Sequence, residues 1–345
     1  MATKVMIVPP IYKRILSRFP QNTTFCFAYG SGVKKQLQNT SQNMIDLIFC
    51  VNNPSYWHES NIKKNPSDYS SLKYFGHNFV SHYQQNFGAK VYFNTLVPLD
   101  NLYIKYGVVS TTDLITDLLE WSDLYLAGRL HKPVEIIEKP LSTELETALQ
   151  LNLQSAVHAA LLILPENFTE YEFYHTISNL SYNGDFRMTF GENKNKIENI
   201  VRPQLLSFRS LYQPLIKTLQ DYVDIPIPKC DPNTESDVSK DNTLLERNPC
   251  SQDYSPVARL HHLNQLPRWP LKGLTRYWNR GNFQQDTEDV LRAIAYNPDC
   301  GYIVKKCISN IVWKSSVRQS IKGIFTAGVF KSVKYSSRKI KKMFK

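Results

Sequence analysis

TFCFAYGSGVKKQLQNTSQNMIDLIFCV, Thr24 to Val51, is the stretch that decides the fold. Thr24 to Tyr29 reads as a strand, because its apolar and aromatic run is stopped at once by Gly30-Ser31-Gly32. Met44 to Val51 reads as a second strand, with Ile45, Leu47, Phe49 and Val51 on one face and Asp46, Ile48 and Cys50 on the other. A strand ending in glycines, then a helix, then a strand bearing an acid suits transfer from a nucleoside triphosphate. Glycines let backbone N–H groups approach phosphate oxygens, and a helix start adds a favourable dipole. A carboxylate at Asp46 would hold Mg²⁺, which neutralises charge at the reacting phosphorus. Gly-Ser-Gly alone is commonly just a turn, and it lacks the Gly-Lys-Ser/Thr ending of a P-loop.

Outward from this unit, Lys90 to Leu96 and Leu102 to Ser110 read as further strands, giving a mixed sheet. Before it, Ile11 to Phe19 has helical spacing in an acid-free stretch, which fits a mitochondrial presequence or the first helix of the domain. From Thr111 the period turns helical: Leu114, Leu118 and Trp121 share a face, and Leu145 to Leu164 continues as helix until Pro165. Pro226 to Pro256 is rich in Pro, Asn, Asp and Ser and reads as a flexible insertion, with helix resuming at Thr287 to Tyr296.

A metal site of this type wants a second acid, and the position after next on the second strand is Ile48. Asp185 is the candidate, because the Asn183-Gly184 turn could present it together with Arg187; the bland alternative is a surface turn. Lys105 is placed to counter triphosphate charge, with Arg129 and Lys132 as further phosphate ligands. Trp57-His58, with Asn61, Lys64 and Asn65, could hold a base or phosphate, although His58 serves equally well as a cap or packing residue.

The net charge of +11 is local. Cys300 to Lys345 holds twelve Lys and Arg and no acid, so residues 1–299 carry 29 basic against 30 acidic side chains. A basic end on a neutral body favours an anionic membrane over nucleic acid. In the tail, Phe330, Val333, Ile340 and Phe344 follow a 3-4 repeat interrupted at Ser337, with Lys331, Lys334, Arg338, Lys341 or Lys342, and Lys345 one position behind. That pattern fits an interfacial helix, a disordered basic tail, or a helix docked on its own protein. The longest apolar run, Ala159 to Leu164, is far short of the ~20 residues of a membrane span. The six cysteines show no metal or disulfide spacing and read as free thiols.

Seven ordered stretches carry a resemblance: YGSGV (Tyr29 to Val33), MIDLIF (Met44 to Phe49), WHESNIKKN (Trp57 to Asn65), IKYGVVST (Ile104 to Thr111), AGRLHKPV (Ala127 to Val134), SYNGDFRM (Ser181 to Met188) and RQSIKGIFTAG (Arg318 to Gly328). In these the chain resembles the mitochondrial translocator assembly and maintenance family of phosphatidate cytidylyltransferases. The resemblance implies a nucleotidyltransferase-like domain followed by a mostly helical, winged-helix-like one. With the composition and periodicity above, the expected architecture is α+β: a nucleotidyltransferase-like mixed sheet (1–112), the helical domain (113–224), a flexible insertion (225–257) that looks particular to this sequence, a C-terminal helical region (258–313) and a basic amphipathic membrane-binding tail (314–345). The resemblance implies CTP and phosphatidic acid as substrates, CDP-diacylglycerol and pyrophosphate as products, and Mg²⁺ as cofactor. It also implies a peripheral place on the matrix side of the mitochondrial inner membrane, feeding cardiolipin synthesis, with no nucleic acid partner. On this basis Asp46 and Asp185 are expected to hold metal and, with Lys105, to serve catalysis. Gly30, Ser31, Gly32, Lys105 and Arg187 are expected on the nucleotide. Two departures from the family pattern, Asn52-Asn53 in place of an acidic pair and Asp68 in place of His, would matter if either position binds metal. The rival expectations are a non-catalytic translocase assembly factor and an RNA nucleotidyltransferase.

Overall fold

The computed structural model describes residues 9–30, 33, 44–100, 102–189, 195–226, 244–281 and 284–328. Its first sheet comprises β1 (Phe25–Tyr29), β2 (Ile45–Val51), β3 (Tyr92–Leu99), β4 (Leu102–Ser110) and β5 (Glu135–Glu138), in the order β3-β4-β2-β1-β5. β2 and β4 run parallel and the other pairs antiparallel. The alternation expected along β2 holds. Ile45, Leu47, Phe49 and Val51 enter one apolar cluster, while Ile48 and Cys50 enter another. Asp46 belongs to the second face, one residue inside the strand end.

The first face is covered by α1 (Pro10–Ser17) and α2 (Pro54–Lys64), which bury Tyr12, Ile15 and Trp57 against it. Phe19 sits 4.8 Å from Phe49 and 4.7 Å from Tyr106, ring centre to ring centre. The Ile11 to Phe19 segment is therefore part of the folded core. α3 (His77–Asn86) follows a 3-10 turn at Ser71–Phe75.

The second face is covered by α4 (Thr111–Glu120), α5 (Ala127–Leu130) and the long α6 (Thr143–Ile163), in an apolar core continuous with the helices that follow. These are α7 (Glu170–Asn179), α8 (Phe186–Thr189), α9 (Lys196–Val201), α10 (Leu205–Ile216), α11 (Pro256–Asn264), α12 (Arg268–Trp278), α13 (Thr287–Tyr296) and α14 (Cys300–Ala327). A small antiparallel sheet of β6 (Asn167–Thr169), β7 (Val223–Asp224) and β8 (Pro249–Gln252), ordered β6-β8-β7, lies among them.

Two boundaries expected from composition move. The flexible insertion over 225–257 fails at its C-terminal end, where β8 is the central strand of the small sheet. The buried Gln252 amide donates to the carbonyls of Leu161, Leu164 and Pro165 (3.0, 3.1 and 2.9 Å), satisfying oxygens that the end of α6 leaves open. Residues 227–243 of that stretch lie outside the described residues. The basic tail expected from 314 also begins too early, because α14 continues to Ala327 with one face buried. Gln319 accepts from the Ala89 amide (2.9 Å) and donates to the Val91 carbonyl (3.2 Å), while the Lys322 ammonium donates to the carbonyls of Gln84 and Phe87 (2.7 and 2.8 Å). These polar residues are buried because backbone groups of the first domain satisfy them. The tail positions Phe330, Val333, Ile340 and Phe344 lie outside the described residues. Among the described residues, no helix is long and apolar enough to cross a membrane.

Candidate active site

Strand register assembles the centre of the site. Tyr29 pairs with Asp46 and Asp46 with Lys105, so three neighbouring strands present these side chains on the same face. The Lys105 ammonium lies 3.7 Å from Asp46 Oδ1 and 4.5 Å from the centre of the Phe93 ring. Gly30 closes β1 with φ of +84°, a region that disfavours side chains, and a Cβ there would stand 3.1 Å from Asp46 Oδ2. The glycine expected to admit phosphate thus also makes room for the carboxylate. Ser31 and Gly32 lie outside the described residues.

Asp46 is 22% exposed in its side chain, and its Oδ1 is buried without a hydrogen-bond partner. Among the described residues this carboxylate oxygen, held out of water, has only the Lys105 ammonium at 3.7 Å, and a site so short of ligands fits a hard divalent cation such as Mg²⁺.

A second layer of charge comes from the helical side. The Arg129 guanidinium lies 3.8 Å from the Tyr125 ring centre and 5.4 Å from that of Tyr29. The Arg187 guanidinium lies 6.0 Å from the Tyr125 ring centre. Burial alone would raise the Tyr125 pKa, but Arg129, Arg187 and Lys105 outweigh it and lower the phenol below its ordinary value. Lys132 donates to the Gly128 carbonyl and to Ser181 Oγ (2.9 Å); burial, and then Arg129, pull its pKa down to about 7. Lys105, Arg129 and Arg187 thus converge around the two tyrosines, with Lys132 set further along against the Tyr182 ring, an environment built for polyanions.

Asp185 lies beside this cluster, with both oxygens engaged by its neighbour. Arg187 Nε donates to Oδ1 at 3.0 Å, Arg187 Nη2 to Oδ2 at 2.5 Å, and the Arg187 amide to Oδ1 at 2.9 Å. The Asn183-Gly184 turn does present the two together, and Gly184 is required there, since a Cβ would fall 2.4 Å from the Ser309 carbonyl oxygen on α14. In this arrangement Asp185 aims Arg187. Taking a metal would require it to release that guanidinium.

The WHESNIKKN segment is interior scaffolding. Trp57 and His58 are fully buried, and His58 bridges the Tyr69 hydroxyl and Gln84 Oε1, both at 2.8 Å. Asn61 donates to the hydroxyls of Tyr69 and Tyr106, Asn65 donates to Asn61, and Lys64 caps the Ser17 carbonyl. The two family departures also lie away from the site. Asp68 is buried in an ion pair with Arg18 (2.8 Å) and accepts from the Tyr106 hydroxyl. Asn53 caps α2, and Asn52 accepts from Thr111 six residues along from Asp46, a separation of roughly 20 Å in an extended strand.

The residue that sequence inspection missed is Asp117. Its buried carboxylate accepts five backbone N–H groups, from Asp123 and Leu124 on Oδ1 (3.0 and 2.8 Å) and from Tyr125, Leu126 and Ala127 on Oδ2 (3.1, 2.9 and 3.0 Å). This fixes a turn in which Trp121 and Leu124 both adopt positive φ, and the turn delivers Tyr125 and Arg129 to the site.

A family model described as "Phosphatidate cytidylyltransferase, mitochondrial" matches residues 12–342. The chain belongs to this family. Three mitochondrial phosphatidate cytidylyltransferases show how even the similarity is. The Drosophila melanogaster protein is 44% identical over 350 residues, covering 97% of this chain and 98% of its own length. The Danio rerio protein is 43% identical over 338 residues (97% and 94%), and the Caenorhabditis elegans protein 36% over 339 residues (97% and 98%).

Proposed function

We propose that this chain is a mitochondrial phosphatidate cytidylyltransferase, forming CDP-diacylglycerol and pyrophosphate from CTP and phosphatidic acid. The observation that carries the reading is the aligned Tyr29, Asp46 and Lys105, with Gly30 against the carboxylate and Arg129 and Arg187 on the neighbouring tyrosine rings. Both substrates are polyanions, and the reaction brings two phosphate groups together. The main task of the protein is positioning and charge neutralisation.

A phosphate oxygen of phosphatidic acid attacks the α-phosphorus of CTP, the bond to the β-phosphate breaks, and pyrophosphate leaves with that electron pair. The attacking phosphate is already ionised near neutral pH, so no general base is required. Asp46 would hold Mg²⁺, which would supply charge neutralisation and in-line alignment when bound; Asp185, the second acid expected from the sequence, would join it only by releasing Arg187 and otherwise serves to aim that guanidinium. Lys105 balances triphosphate charge, Arg129 and Lys132 bind further phosphate oxygens, and Arg187, aimed by Asp185, completes the anion site. Gly30, with Ser31 and Gly32, lets backbone approach the phosphates.

The strand order supports the finer fold reading. A mixed sheet with an acid beside a glycine turn fits a nucleotidyltransferase. The sequence β6, α7, α10, β7, β8 with sheet order β6-β8-β7 fits a winged helix. We place the protein peripherally on the matrix side of the inner membrane, where its product would feed cardiolipin synthesis.

The test is purified protein with labelled CTP, Mg²⁺ and either phosphatidic acid vesicles or RNA. Lipid-dependent CDP-diacylglycerol with equimolar pyrophosphate, and no labelled RNA, is expected. Label in RNA, or in neither product, overturns the reading.

A further inference from the structure

Along the outer side of the first domain the 3-10 turn and α3 expose a row of aromatic rings. Tyr74 is 81% exposed, Phe75 69% and Phe87 51%, although each could have been polar at no cost to the core. The rings are ordered as a ladder, with Phe75 5.1 Å from Phe79, Phe79 6.2 Å from Tyr83, and Tyr83 5.0 Å from Phe87, centre to centre. The last turns of α14 run beside it. Lys322 is pinned to the carbonyls of Gln84 and Phe87, and Gly328 lies against Ser70. The outward residues of these turns, Ile321, Ile324 and Phe325, are each about half exposed. Two elements remote in sequence thus expose one apolar face.

Charge identifies what the face meets. Residues 69–99 and 300–345 contain no Asp or Glu, so both segments that build the face are free of acid. The chain leaves the end of α14 beside the ladder, and its next seventeen residues carry seven Lys and Arg. Exposed Phe and Tyr rings on acid-free segments, beside the start of a strongly basic stretch, match the interface of an anionic bilayer.

We propose that this face, the aromatic ladder of α3 with the outward end of α14, is seated in an anionic lipid surface. This goes beyond a tail anchor: the folded body itself docks and sets the orientation of the site. It rests on the reading of phosphatidic acid as substrate. α14 joins the two regions, since Ser316 Oγ accepts from the Phe186 amide next to the Asp185 and Arg187 pair, three residues before Gln319 grips Ala89 and Val91, just ahead of β3. The helix that borders the reaction site therefore ends in the membrane face.

The test uses the full chain and a Phe75→Ser, Phe79→Ser, Phe325→Ser variant, with phosphatidylcholine vesicles made with or without phosphatidylglycerol, which is anionic and not a substrate. The variant is expected to bind the anionic vesicles at least about tenfold more weakly than wild type. Its turnover of water-soluble short-chain phosphatidic acid with CTP should be unchanged. Vesicle binding equal to wild type overturns the proposal, as does a changed oligomeric state with vesicle binding intact. Failure of the wild type to use short-chain phosphatidic acid counts against the functional reading alone, because vesicle binding is read separately. A Phe79→Trp variant reads the contact without weakening it. Its added fluorescence should be quenched by brominated acyl chains, and no quenching beyond wild type overturns the proposal.

Discussion

Replacing Asp117 by Asn tests whether the site is built from the carboxylate nest at the end of α4. The native side chain takes five backbone N–H groups, two on one oxygen and three on the other. An asparagine of the same shape keeps one acceptor oxygen. In its better orientation it retains the bonds from Tyr125, Leu126 and Ala127 and turns its own N–H₂ toward those of Asp123 and Leu124. Two backbone donors then lose their acceptor, one of them buried, and the remaining three lose a charged partner. One buried donor left unsatisfied costs about 1–3 kcal/mol, and the loss of charge assistance on the three retained bonds adds about 2 kcal/mol, so the change costs about 3–5 kcal/mol. That is a large part of the 5–15 kcal/mol typical of a folded domain, yet leaves it measurable by urea unfolding. Because the same turn carries Tyr125 and Arg129, a shift of about 1 Å should also lower kcat/KM by roughly 100-fold. A variant within 0.5 kcal/mol of wild type (about the scatter of a neutral surface change), with unaltered kinetics, would refute the reasoning.

Three further outcomes follow from single contacts. Gly30→Ala forces a side chain into positive φ and toward Asp46 Oδ2, so it should cost about 1–2 kcal/mol in urea unfolding and at least about tenfold in turnover; unchanged turnover would mean the carboxylate need not sit against that turn. Gln319→Leu strands the Ala89 amide and the Val91 carbonyl, and should cost about 2–3 kcal/mol without changing KM for CTP; a neutral result would show that α14 is not docked there. Burial lowers the His58 pKa to about 4, so the folded protein binds fewer protons than the unfolded chain between about pH 4 and 6.5, and acid destabilises it. At pH 5, 1.5 pH units below the ordinary value, the loss is about 2 kcal/mol relative to pH 7, and His58→Gln should lose that much less; equal pH dependence in the two proteins would exclude His58 as the source.

How much of this was readable in the sequence depended on whether a residue's partners were local. The two faces of β2, the break at Gly30 and the pairing of Asp185 with Arg187 across two residues all follow from nearest-neighbour geometry, and the sequence pattern found them. Asp117 has five partners, but every one is a backbone amide, and backbone amides leave no trace in residue types. Gln319 and Lys322 look like solvated residues of a basic tail, because the carbonyls that bury them lie more than 200 positions away. Polarity misled in the opposite sense at His58, Asn61 and Asn65, which satisfy one another and two tyrosines inside the core. Cys250 and Gln252 sit in a Pro, Asn and Ser-rich stretch whose composition hides a four-residue strand, since pairing on both sides compensates for weak propensity.

Single-turnover CDP-diacylglycerol formation by Asp46→Asn, with CTP binding and unfolding followed alongside, tests the centre of the account most directly. The substitution keeps shape and removes the charge from a carboxylate whose Oδ1 has no hydrogen bond among the described residues. A fall of at least about 1,000-fold, in a protein that remains folded, is predicted. A rate within about threefold of wild type would show that Asp46 is not the acid on which the reaction depends.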